Sequence, residues 1–375
     1  MTRRKRILTG VLTVIGVMVV SVGWLMSHDS PCDPAPAVAE GGPQIKAVRA
    51  RCYGSPDVLT LEDIAKPVPA ENEVLVKVHA AALNPLDWHY MRGKPYVVRL
   101  GGGFGKPEDI RVGVDFAGVV EAVGSAVTRF KAGDEVFGGK SGAFAEYVTV
   151  GEDRVVLPKP ANISFEQAAA IPIAAITALQ GLRDTGQIRA GQRVLINGAS
   201  GGVGTFAVQI AKSFGAEVTA VCSTRNLELV KSLGADHVID YTQEDFTRGT
   251  TRYDLILDNV GNHPLSSYRR VMTPAGVVAI VGGPNDNAWL GALVQPIKGV
   301  LLAPFSTQHF SMFIADLNVP DLELISDLIR QGKVTPVIDR RYALTEVPEA
   351  IRYLETGRAR GKVIVNVCSA GTCTG

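Results

Sequence analysis

The residues whose types and spacing point most clearly to chemistry are three glycines, Gly198, Gly201 and Gly204, set three residues apart. An apolar run, Val194–Ile196, predicts a short buried strand before them, and the spacing of Thr205–Phe214 predicts a helix after them. In such a unit, glycines let the backbone approach a pyrophosphate, and the amides at the helix N-terminus attract its charge. We therefore predict a dinucleotide site with the loop residues Gly198, Ser200, Gly201, Gly202, Val203 and Gly204.

The end of the next predicted strand indicates which nucleotide the site prefers. The strand Glu217–Val221 leads to Ser223 and Arg225, where a site for NAD usually carries an Asp or Glu that binds a ribose hydroxyl. A hydroxyl and a guanidinium can instead hold a 2′-phosphate. The sequence thus predicts NADPH, with a solvated loop arginine as the alternative interpretation of Arg225.

Two other interpretations of the glycine loop have to be weighed. The loop could connect a strand to a helix without holding a ligand. It also fits the spacing of short-chain reductases, Gly198-x-x-x-Gly202-x-Gly204, but those proteins carry the loop near their N-terminus and a Tyr-x-x-x-Lys pair well after it. The only such pair here, Tyr90 with Lys94, precedes the loop, which argues against that class.

Composition excludes several other function classes. The chain has 375 residues and a net charge of +1, and it shows no basic stripe interleaved with aromatic residues, so we expect no nucleic-acid partner. The six histidines show no i, i+4 pairing with carboxylates, and we predict no metal site. No Cys-x-x-Cys pair occurs, which argues against a zinc ribbon and a dense disulfide framework; the cysteines are Cys32, Cys52, Cys222, Cys368 and Cys373.

The N-terminus departs from the pattern of a soluble enzyme. A basic cluster at residues 3–6 precedes the uncharged apolar run Ile7–Met26, which has about the 20 residues needed to span a bilayer. We predict an uncleaved membrane helix there, with a signal peptide as the alternative, and a flexible Pro-, Ala- and Gly-rich linker over residues 27–44. The basic cluster favours a catalytic domain outside the cytoplasm, whereas the supply of NADPH favours a cytoplasmic one. The side of the membrane on which the catalytic domain lies therefore stays open.

The pattern of the remaining chain changes near residue 163. Before it, strands such as Ile45–Tyr53 and Glu73–Ala81 are separated by Pro and Gly, and Val112–Val127 has the Gly spacing typical of tightly packed barrel strands. After it, a helix over Phe165–Leu182 is followed by alternating short strands and helices. Such alternation predicts a parallel, doubly wound sheet.

Ten short motifs are spread in order along Ile45–Val367. They are Ala82–Asp87, Arg92-Gly93, Gly113–Gly118, Lys131–Val136, Ala143–Val148, Ile171–Thr177, Asn197–Gly204, Leu233–Asp236, Asp240-Tyr241 and Gly361–Ile364. On these motifs the chain resembles the medium-chain dehydrogenase/reductase superfamily, and within it the zinc-free, quinone oxidoreductase-like branch.

The resemblance implies an α/β protein in which a β-rich, GroES-like catalytic domain surrounds a Rossmann domain with a doubly wound parallel sheet. Together with the N-terminal features, it gives an expected order of segments along the chain. These are a basic N-terminus (1–6), a transmembrane anchor (7–26), a linker (27–44), the catalytic domain (45–165), the NADPH-binding domain (166–310), a return to the catalytic domain (311–367) and a tail (368–375).

Departures from the zinc-dependent members of this family bear on the chemistry. Asn84 stands where those enzymes place a ligand Cys, Val114 where they place a His, and Ile173 at the third ligand position. Val and Ile side chains cannot bind a metal, so zinc could not polarise a substrate carbonyl as a Lewis acid. Hydrogen-bond donors would have to hold the developing negative charge, which suits the reduction of a quinone or of a C=C bond conjugated to a carbonyl.

Four residues near the first of these motifs are candidates for catalysis. Asn84, Tyr90 and Tyr96 follow the motif into the expected wall of the cleft and could donate hydrogen bonds, and Asp87 could act as a general acid. Structural interpretations stay open: Asn84 could set a turn before Pro85, the tyrosine rings could pack within the lobe, and an Asp in a turn often caps backbone amides.

The resemblance also implies further contacts to the cofactor. Thr177 would lie near the nicotinamide or its phosphate, and Tyr241 would join Ser223 and Arg225 around the adenosine end. Asn259 and Gly282 follow later strands, where the crevice of such a sheet would hold the nicotinamide ribose.

Taken together, the sequence predicts a zinc-independent, NADPH-dependent oxidoreductase that reduces quinones, enones or related conjugated carbonyls by hydride transfer. An enoyl-thioester reductase and an alcohol or carbonyl oxidoreductase of the same superfamily are alternatives, and a non-catalytic NADPH-binding membrane scaffold is a third. The expected partners are a small-molecule acceptor and, through Ile7–Met26, a lipid bilayer; a homodimer is left open.

Overall fold

The first lobe of the protein is mostly antiparallel β-structure, because Gly and Pro repeatedly end its short apolar runs. The computed structural model describes residues 16–18, 20–36, 42–283, 287–291 and 307–367. The first strands are β1 (Gln44–Ala50), β2 (Leu59–Ala65), β3 (Glu73–Ala82), β4 (Asp115–Val123), β5 (Glu135–Gly139), β6 (Tyr147–Gly151) and β7 (Val156–Pro158). The strands β1 and β2 pair with each other, and β3 to β7 belong to a larger sheet.

A second sheet of six parallel strands carries the glycine loop. Its strands are β8 (Arg193–Asn197), β9 (Glu217–Cys222), β10 (His237–Asp240), β11 (Tyr253–Asp258), β12 (Met272–Ile280) and β13 (His309–Met312). The order across the sheet is β10-β9-β8-β11-β12-β13. The strand order therefore reverses between β8 and β11, and a crevice for a ligand is expected at the C-terminal ends of these two strands. This is the doubly wound sheet that the sequence predicts.

The end of the chain returns to the first lobe. The strands β14 (Ile338–Ala343) and β15 (Lys362–Asn366) complete its larger sheet, in the order β14-β15-β3-β4-β5-β7 with β6 also paired to β3. Just before β15, Gly361 pairs with Gly201 of the glycine loop, so the return strand joins the two lobes at that loop. The boundary expected at residue 310 falls inside β13, because that strand completes the parallel sheet as far as Met312.

The helices lie around these sheets. They are α1 (Pro85–Arg92), α2 (Arg99–Gly102), α3 (Phe165–Ala169), α4 (Pro172–Gln180), α5 (Gly202–Ser213), α6 (Leu227–Ser232), α7 (Leu265–Arg270), α8 (Val319–Arg330) and α9 (Val347–Glu355). The single helix predicted over Phe165–Leu182 is wrong: α3 and α4 are separate, since Pro172 begins a new helix. A π-helical turn, Gly181–Thr185, follows α4.

The helix α1 was not predicted, although its termini carry recognisable signals. Pro85 occupies the first turn and Gly93 ends the helix in the left-handed region, with φ 57°. Proline is pre-organised for a first helical turn and glycine favours the left-handed C-terminal position. The helix begins directly at the end of β3, and it therefore holds Asn84 and Asp87 at the edge of the first sheet.

The segment before β1 is partly fastened to the first lobe, so the flexible linker predicted over residues 27–44 is wrong for residues 28–33. The amide of Ser30 donates to the Gly105 carbonyl at 2.8 Å, and Asp29 forms an ion pair with the fully buried Arg99 at 2.6 Å. A disulfide joins Cys32 to Cys52. These contacts involve residues far apart in the sequence, which is why linker composition alone missed them.

Half of the predicted membrane anchor falls on undescribed residues. Residues 16–18 and 20–27 are helical, whereas residues 1–15 and 19 lie outside the described part of the chain. Among the residues that the structure describes, every helix is too short or too polar to cross a bilayer. An anchor over Ile7–Met26 therefore has no support from the described structure. The tail with Cys368 and Cys373 also lies outside the described residues.

The two lobes contain separate apolar clusters, and the larger cluster extends from the second lobe to Ala82, Phe137 and Ile364 of the first. In the second lobe, Val194, Ile196 and Leu257 of the parallel strands are fully buried against the surrounding helices. In the first lobe, Phe116 and Val76 lie in a separate cluster inside the β-structure. Burial of this kind provides most of the stability of a folded domain, and we expect the cleft for the ligands at the junction of the two lobes, where Gly201 pairs with Gly361.

Candidate active site

The glycine loop has room for a ligand at one glycine and none at another. A Cβ atom on Gly204 would lie 2.2 Å from the Gly198 carbonyl oxygen, so the packing of the loop on α5 requires this glycine. A Cβ atom on Gly201 would meet only that same oxygen, at 3.4 Å, and Gly201 has an extended backbone with φ −83°. Contacts within the protein therefore do not require glycine at position 201. A ligand that lies close to the backbone at this position would require it.

Two buried asparagine oxygens beside this loop have no hydrogen-bond partner among the described residues, Oδ1 of Asn226 and Oδ1 of Asn259. The Asn226 amide nitrogen donates to Ser200 Oγ at 2.9 Å, and the Asn259 amide nitrogen donates to the carbonyl of Asn197 at 2.9 Å. Buried polar atoms are normally paired, so both oxygens call for a donor. The hydroxyl groups of a dinucleotide are such donors, and this part of the site therefore fits the cofactor.

The two other residues expected on this side of the cleft are close-packed. A Cβ atom on Gly282 would lie 2.5 Å from the Asn259 carbonyl oxygen, so Gly282 lets the ends of β11 and β12 approach each other. Thr177 is buried in α4, and its hydroxyl donates to the Ile173 carbonyl at 2.7 Å. The hydroxyl oxygen of Thr177 can still accept a hydrogen bond.

The residues expected at the adenosine end lie at the ends of β9 and β10. Ser223 precedes a short turn, Tyr241 is 51% exposed, and the guanidinium of Arg225 donates to the Arg358 carbonyl at 2.7 Å. An acidic group lies nearby as well, because the exposed carboxylate of Asp240 accepts a hydrogen bond from the Thr224 hydroxyl at 2.5 Å. This hydrogen bond lowers the pKa of Asp240.

Four polar side chains form a buried cluster on the other side of the cleft. The ammonium of Lys362 donates to Asn84 Oδ1 at 2.5 Å and lies 3.4 Å from Asp115 Oδ2. The Asn84 amide nitrogen donates to the same Asp115 oxygen at 2.9 Å, and the backbone N–H of Asn84 donates to Asp87 Oδ2 at 2.7 Å. All four residues are at most 3% exposed. We call Asn84, Asp87, Asp115 and Lys362 the polar cluster.

Burial changes the proton affinities within the polar cluster. It raises the pKa of Asp87 to about 7, with the neighbouring charge of Asp115 acting in the same direction and Lys362 opposing it. Burial also raises the pKa of Asp115 and lowers that of Lys362, while the attraction between these two groups opposes both shifts. A carboxyl with a pKa near 7 can donate or accept a proton at neutral pH.

The family resemblance puts the zinc-ligand positions of zinc-dependent enzymes at Asn84, Val114 and Ile173, which lie in this cluster or next to it. The backbone N–H of Ile173 donates to Asp115 Oδ1 at 3.1 Å, so α4 begins against the same carboxylate that binds Asn84. Val114 directly precedes Asp115 and contributes only hydrocarbon. Within the described ranges, no group of three or more His, Cys, Asp or Glu side chains could hold a metal ion.

The two tyrosines proposed for catalysis lie outside the polar cluster. Tyr90 is 54% exposed on α1. The ring of Tyr96 lies 4.9 Å from the guanidinium of Arg99 and packs edge-on against Trp289 at 5.1 Å. Trp289 follows β12 of the parallel sheet, so this contact joins the two lobes at the rim of the cleft.

Sequence reasoning missed Asp115 and Lys362 as site residues. Both lie in motifs that carried the resemblance, but their charges are separated by 247 residues and meet only when β15 pairs with β3. A signal was present, since each is the single charged residue of an otherwise apolar stretch, Gly113–Val120 and Gly361–Val365 respectively. Charged residues are rarely buried unless they are paired.

Two protein-family models match the chain. The alcohol dehydrogenase GroES-like domain matches residues 70–161, and a zinc-binding dehydrogenase model matches residues 233–365. The first range covers β3 to β7 with α1, and the second runs from the end of α6 to β15. The first range lies within the first lobe, and the second range covers β10 to β13 of the parallel sheet together with the return strands β14 and β15 of the first lobe.

Individual relatives match over most of the chain. The 2-methylene-furan-3-one reductase of Solanum lycopersicum is 38% identical and covers 86% of this chain and 79% of its own. The NADPH-dependent alkenal/one oxidoreductase of Arabidopsis thaliana is also 38% identical, covering 84% and 77%. The structure of the quinone oxidoreductase from Coxiella burnetii aligns with a TM-score of 0.76 at 32% identity, covering 87% of this chain and all of that one.

These matches show what the sequence motifs predicted about family and general activity. All three relatives are named as reductases or oxidoreductases, and the Arabidopsis relative is named as NADPH-dependent. The chain belongs to the zinc-independent, quinone oxidoreductase-like branch of the medium-chain dehydrogenase/reductase superfamily and is an NAD(P)H-dependent oxidoreductase.

Proposed function

We propose that the protein uses NADPH to reduce the C=C bond of enones and related conjugated carbonyls, or the ring of a quinone, without a metal ion. The observation that carries this proposal is the polar cluster, which places hydrogen-bonding and proton-carrying side chains around Asn84, the residue that by the family resemblance stands at a zinc-ligand position. The names of the tomato and Arabidopsis relatives, which describe conjugated carbonyl substrates, support the same class of acceptor.

The nucleotide would be held largely by the second lobe. Ser200 and the backbone of Gly201–Gly204 would bind the pyrophosphate, and the unpaired oxygens of Asn226 and Asn259 would accept hydrogen bonds from hydroxyl groups. Thr177 and Gly282 would flank the nicotinamide half, and Tyr241 would flank the adenosine half. The reduced nicotinamide, when bound, supplies a hydride.

The preference for NADPH over NADH rests on Ser223 and Arg225. A hydroxyl and a guanidinium at the end of β9 can together bind a 2′-phosphate through charge-assisted hydrogen bonds. Asp240 acts against this preference, because an ionised carboxylate nearby repels a phosphate. We expect the attraction of the Arg225 guanidinium to outweigh the repulsion from Asp240. The guanidinium would break its hydrogen bond to the Arg358 carbonyl and bind the phosphate directly.

On the acceptor side, addition of a hydride to a conjugated C=C bond leaves negative charge on the carbonyl oxygen, and the product needs one proton. Asp87 can supply that proton at neutral pH, because burial raises its pKa to about 7. The oxygen and the nitrogen of the Asn84 side-chain amide already bind Lys362 and Asp115. Asn84 would therefore act by holding Asp87 in place, through the hydrogen bond from its backbone N–H to Asp87 Oδ2. The hydroxyl groups of Tyr90 and Tyr96 would act at the rim of the cleft.

The proposal is tested by following NADPH oxidation with a panel of acceptors, comprising an enone, an enal, a quinone, an enoyl thioester and the saturated counterparts of the carbonyl compounds. We expect oxidation with the enone, the enal or the quinone, and mass spectrometry of the enone product should show a reduced C=C bond and an intact carbonyl. Faster oxidation with the saturated ketone or aldehyde would contradict the proposal and favour a carbonyl reductase.

A further inference from the structure

Lys362 connects the glycine loop to the polar cluster. Gly361, its neighbour in the chain, donates its backbone N–H to the Ser200 carbonyl at 2.9 Å. The Lys362 side chain then passes beneath Gly202, where an added Cβ atom would lie 3.2 Å from Lys362 Cδ. Its ammonium ends at Asn84, so a single side chain runs from the candidate pyrophosphate loop to the candidate catalytic residues.

The position of Lys362 is energetically expensive. An ammonium and a carboxylate lose their hydration when they are buried, and their mutual attraction often does no more than offset that loss. Lys362 and Asp115 are 3% and 0% exposed, and their closest atoms are 3.4 Å apart. Apolar side chains at both positions would fill the same space without the loss of hydration, so general stability does not account for this buried pair.

The geometry fixes what Lys362 does to its neighbours. With Oδ1 of Asn84 held by Lys362 and Nδ2 held by Asp115, the amide of Asn84 has one favourable orientation. The ionisable groups that interact with Lys362 are Asp115 at the start of β4 and Asp87 on α1; α4 contributes the backbone N–H of Ile173 to Asp115, and the glycine loop approaches Lys362 at Gly202. Two carboxyl groups and one ammonium thus share one buried volume.

We propose that Lys362 is a positioning residue: its ammonium holds the Asn84 amide in one orientation and, against Asp115, sets the electrostatic environment in which Asp87 delivers its proton. This inference rests on the proposed function, because it assigns the proton donor on the acceptor side to Asp87. It adds a residue from the C-terminal return strand that contacts neither the transferred hydride nor the acceptor.

The first test compares Lys362→Met with the wild-type enzyme, using the full chain, NADPH and an acceptor from the panel. We expect kcat to fall by about tenfold while the KM for the acceptor stays within about twofold. The decline of kcat at high pH should also move to higher pH, because loss of the ammonium removes a charge that lowers the pKa of Asp87. Unchanged kcat, or a decline that stays at the same pH, would overturn the inference.

Asp115→Asn provides a second variant with an effect of opposite sign. The Asp115 carboxylate raises the pKa of Asp87, so its removal should move the decline of kcat to lower pH. A shift in the same direction for Lys362→Met and Asp115→Asn would overturn the inference. Lys362→Arg, which retains the positive charge, should keep the pH profile close to that of the wild type, and it carries the test if Lys362→Met does not fold.

A matched control separates this role from a general loss of stability. Lys159 has a side chain only 6% exposed and forms an ion pair with Glu135 at 3.0 Å, outside the polar cluster. Lys159→Met should lower the unfolding temperature without moving the pH profile. An equal movement of the pH profile in Lys159→Met would count against a specific role for Lys362.

A measurement on the nucleotide-free protein keeps this inference separate from the proposed function. Carboxyl ¹³C NMR can follow the titration of Asp87, with Asp87→Asn identifying its signal. We expect Lys362→Met to raise that pKa above its wild-type value, whatever the acceptor. If no acceptor of the panel supports NADPH oxidation by the wild type but Lys362→Met still raises the pKa of Asp87, only the proposed function fails. If Lys362→Met leaves the pKa of Asp87 unchanged, the inference on Lys362 fails.

Discussion

The two sides of the cleft are built in different ways. The glycine loop presents backbone amides from one continuous segment, Asn197–Gly204, placed by a single strand and a single helix. The polar cluster is made of side chains from three parts of the chain, the start of α1, β4 and β15, and one of its hydrogen bonds joins residues 278 positions apart in the sequence. A site made of backbone depends on steric room, whereas a site made of buried side chains depends on charge and orientation.

This contrast predicts that substitutions at the loop act on binding and substitutions at the cluster act on turnover. We expect the largest effect from Gly201→Val. The side chain has room within the protein but would occupy the space that a pyrophosphate needs, so NADPH affinity should fall by about 100-fold or more with little change in unfolding temperature. Fluorescence titration with NADPH measures the affinity, and calorimetry measures the unfolding temperature.

Gly204→Ala is the matched control for that substitution. Its Cβ atom would lie 2.2 Å from the Gly198 carbonyl oxygen, and the unfolding temperature should therefore fall. The contrast would be lost if Gly201→Val unfolded at a lower temperature than Gly204→Ala, or if Gly201→Val bound NADPH like the wild type.

At the cluster, Asp87→Asn should lower kcat by about 100-fold, the usual contribution of a general acid, and leave NADPH affinity nearly unchanged. Wild-type kcat should decline as the pH rises above about 7, where Asp87 loses its proton, and this decline should be absent from the residual activity of Asp87→Asn. Steady-state kinetics at a series of pH values checks both expectations. A wild-type kcat in Asp87→Asn would remove Asp87 from the reaction.

The same residue should affect stability in a definite direction. The pKa of Asp87 rises from 3.8 to about 7 on folding, so the folded protein holds a proton that the unfolded chain releases between these values. The contribution of Asp87 to the free energy of unfolding is therefore fully present below pH 3.8, and it is lost as the pH rises to about 7. Asp87→Asn should show a weaker decline over this window in urea denaturation.

The smallest effect is expected at the exposed adenosine end. Ser223→Ala combined with Arg225→Ala should weaken NADPH binding by roughly 10- to 100-fold, because water at this exposed site replaces part of the about 1.5–3 kcal/mol that each hydrogen bond to a charged group contributes. NADH binding should not change, because NADH lacks the 2′-phosphate. Arg248→Ala, which alters an arginine 82% exposed elsewhere on the second lobe, is the control. Equal losses of NADPH and NADH affinity would disprove the phosphate assignment.

The same contrast between a continuous segment and distant segments explains which parts of the fold and of the site the sequence predicts. The strand β8, the glycine loop and α5 could be predicted because their signals lie within about twenty consecutive residues. The helix α1 was missed although proline and glycine mark its ends, since Asn84-Pro85 also fits a simple turn. The Lys362–Asn84 contact and the Cys32–Cys52 disulfide depend on which strands become neighbours, and no local pattern records that.

The most direct test of the account is NADPH oxidation with a conjugated acceptor after exhaustive chelation, combined with metal analysis of the same sample. We expect no stoichiometric zinc and an unchanged kcat, because Asn84, Val114 and Ile173 stand at the ligand positions and the polar cluster supplies the chemistry. One zinc per chain, with activity that is lost on its removal and restored by its return, would contradict the account.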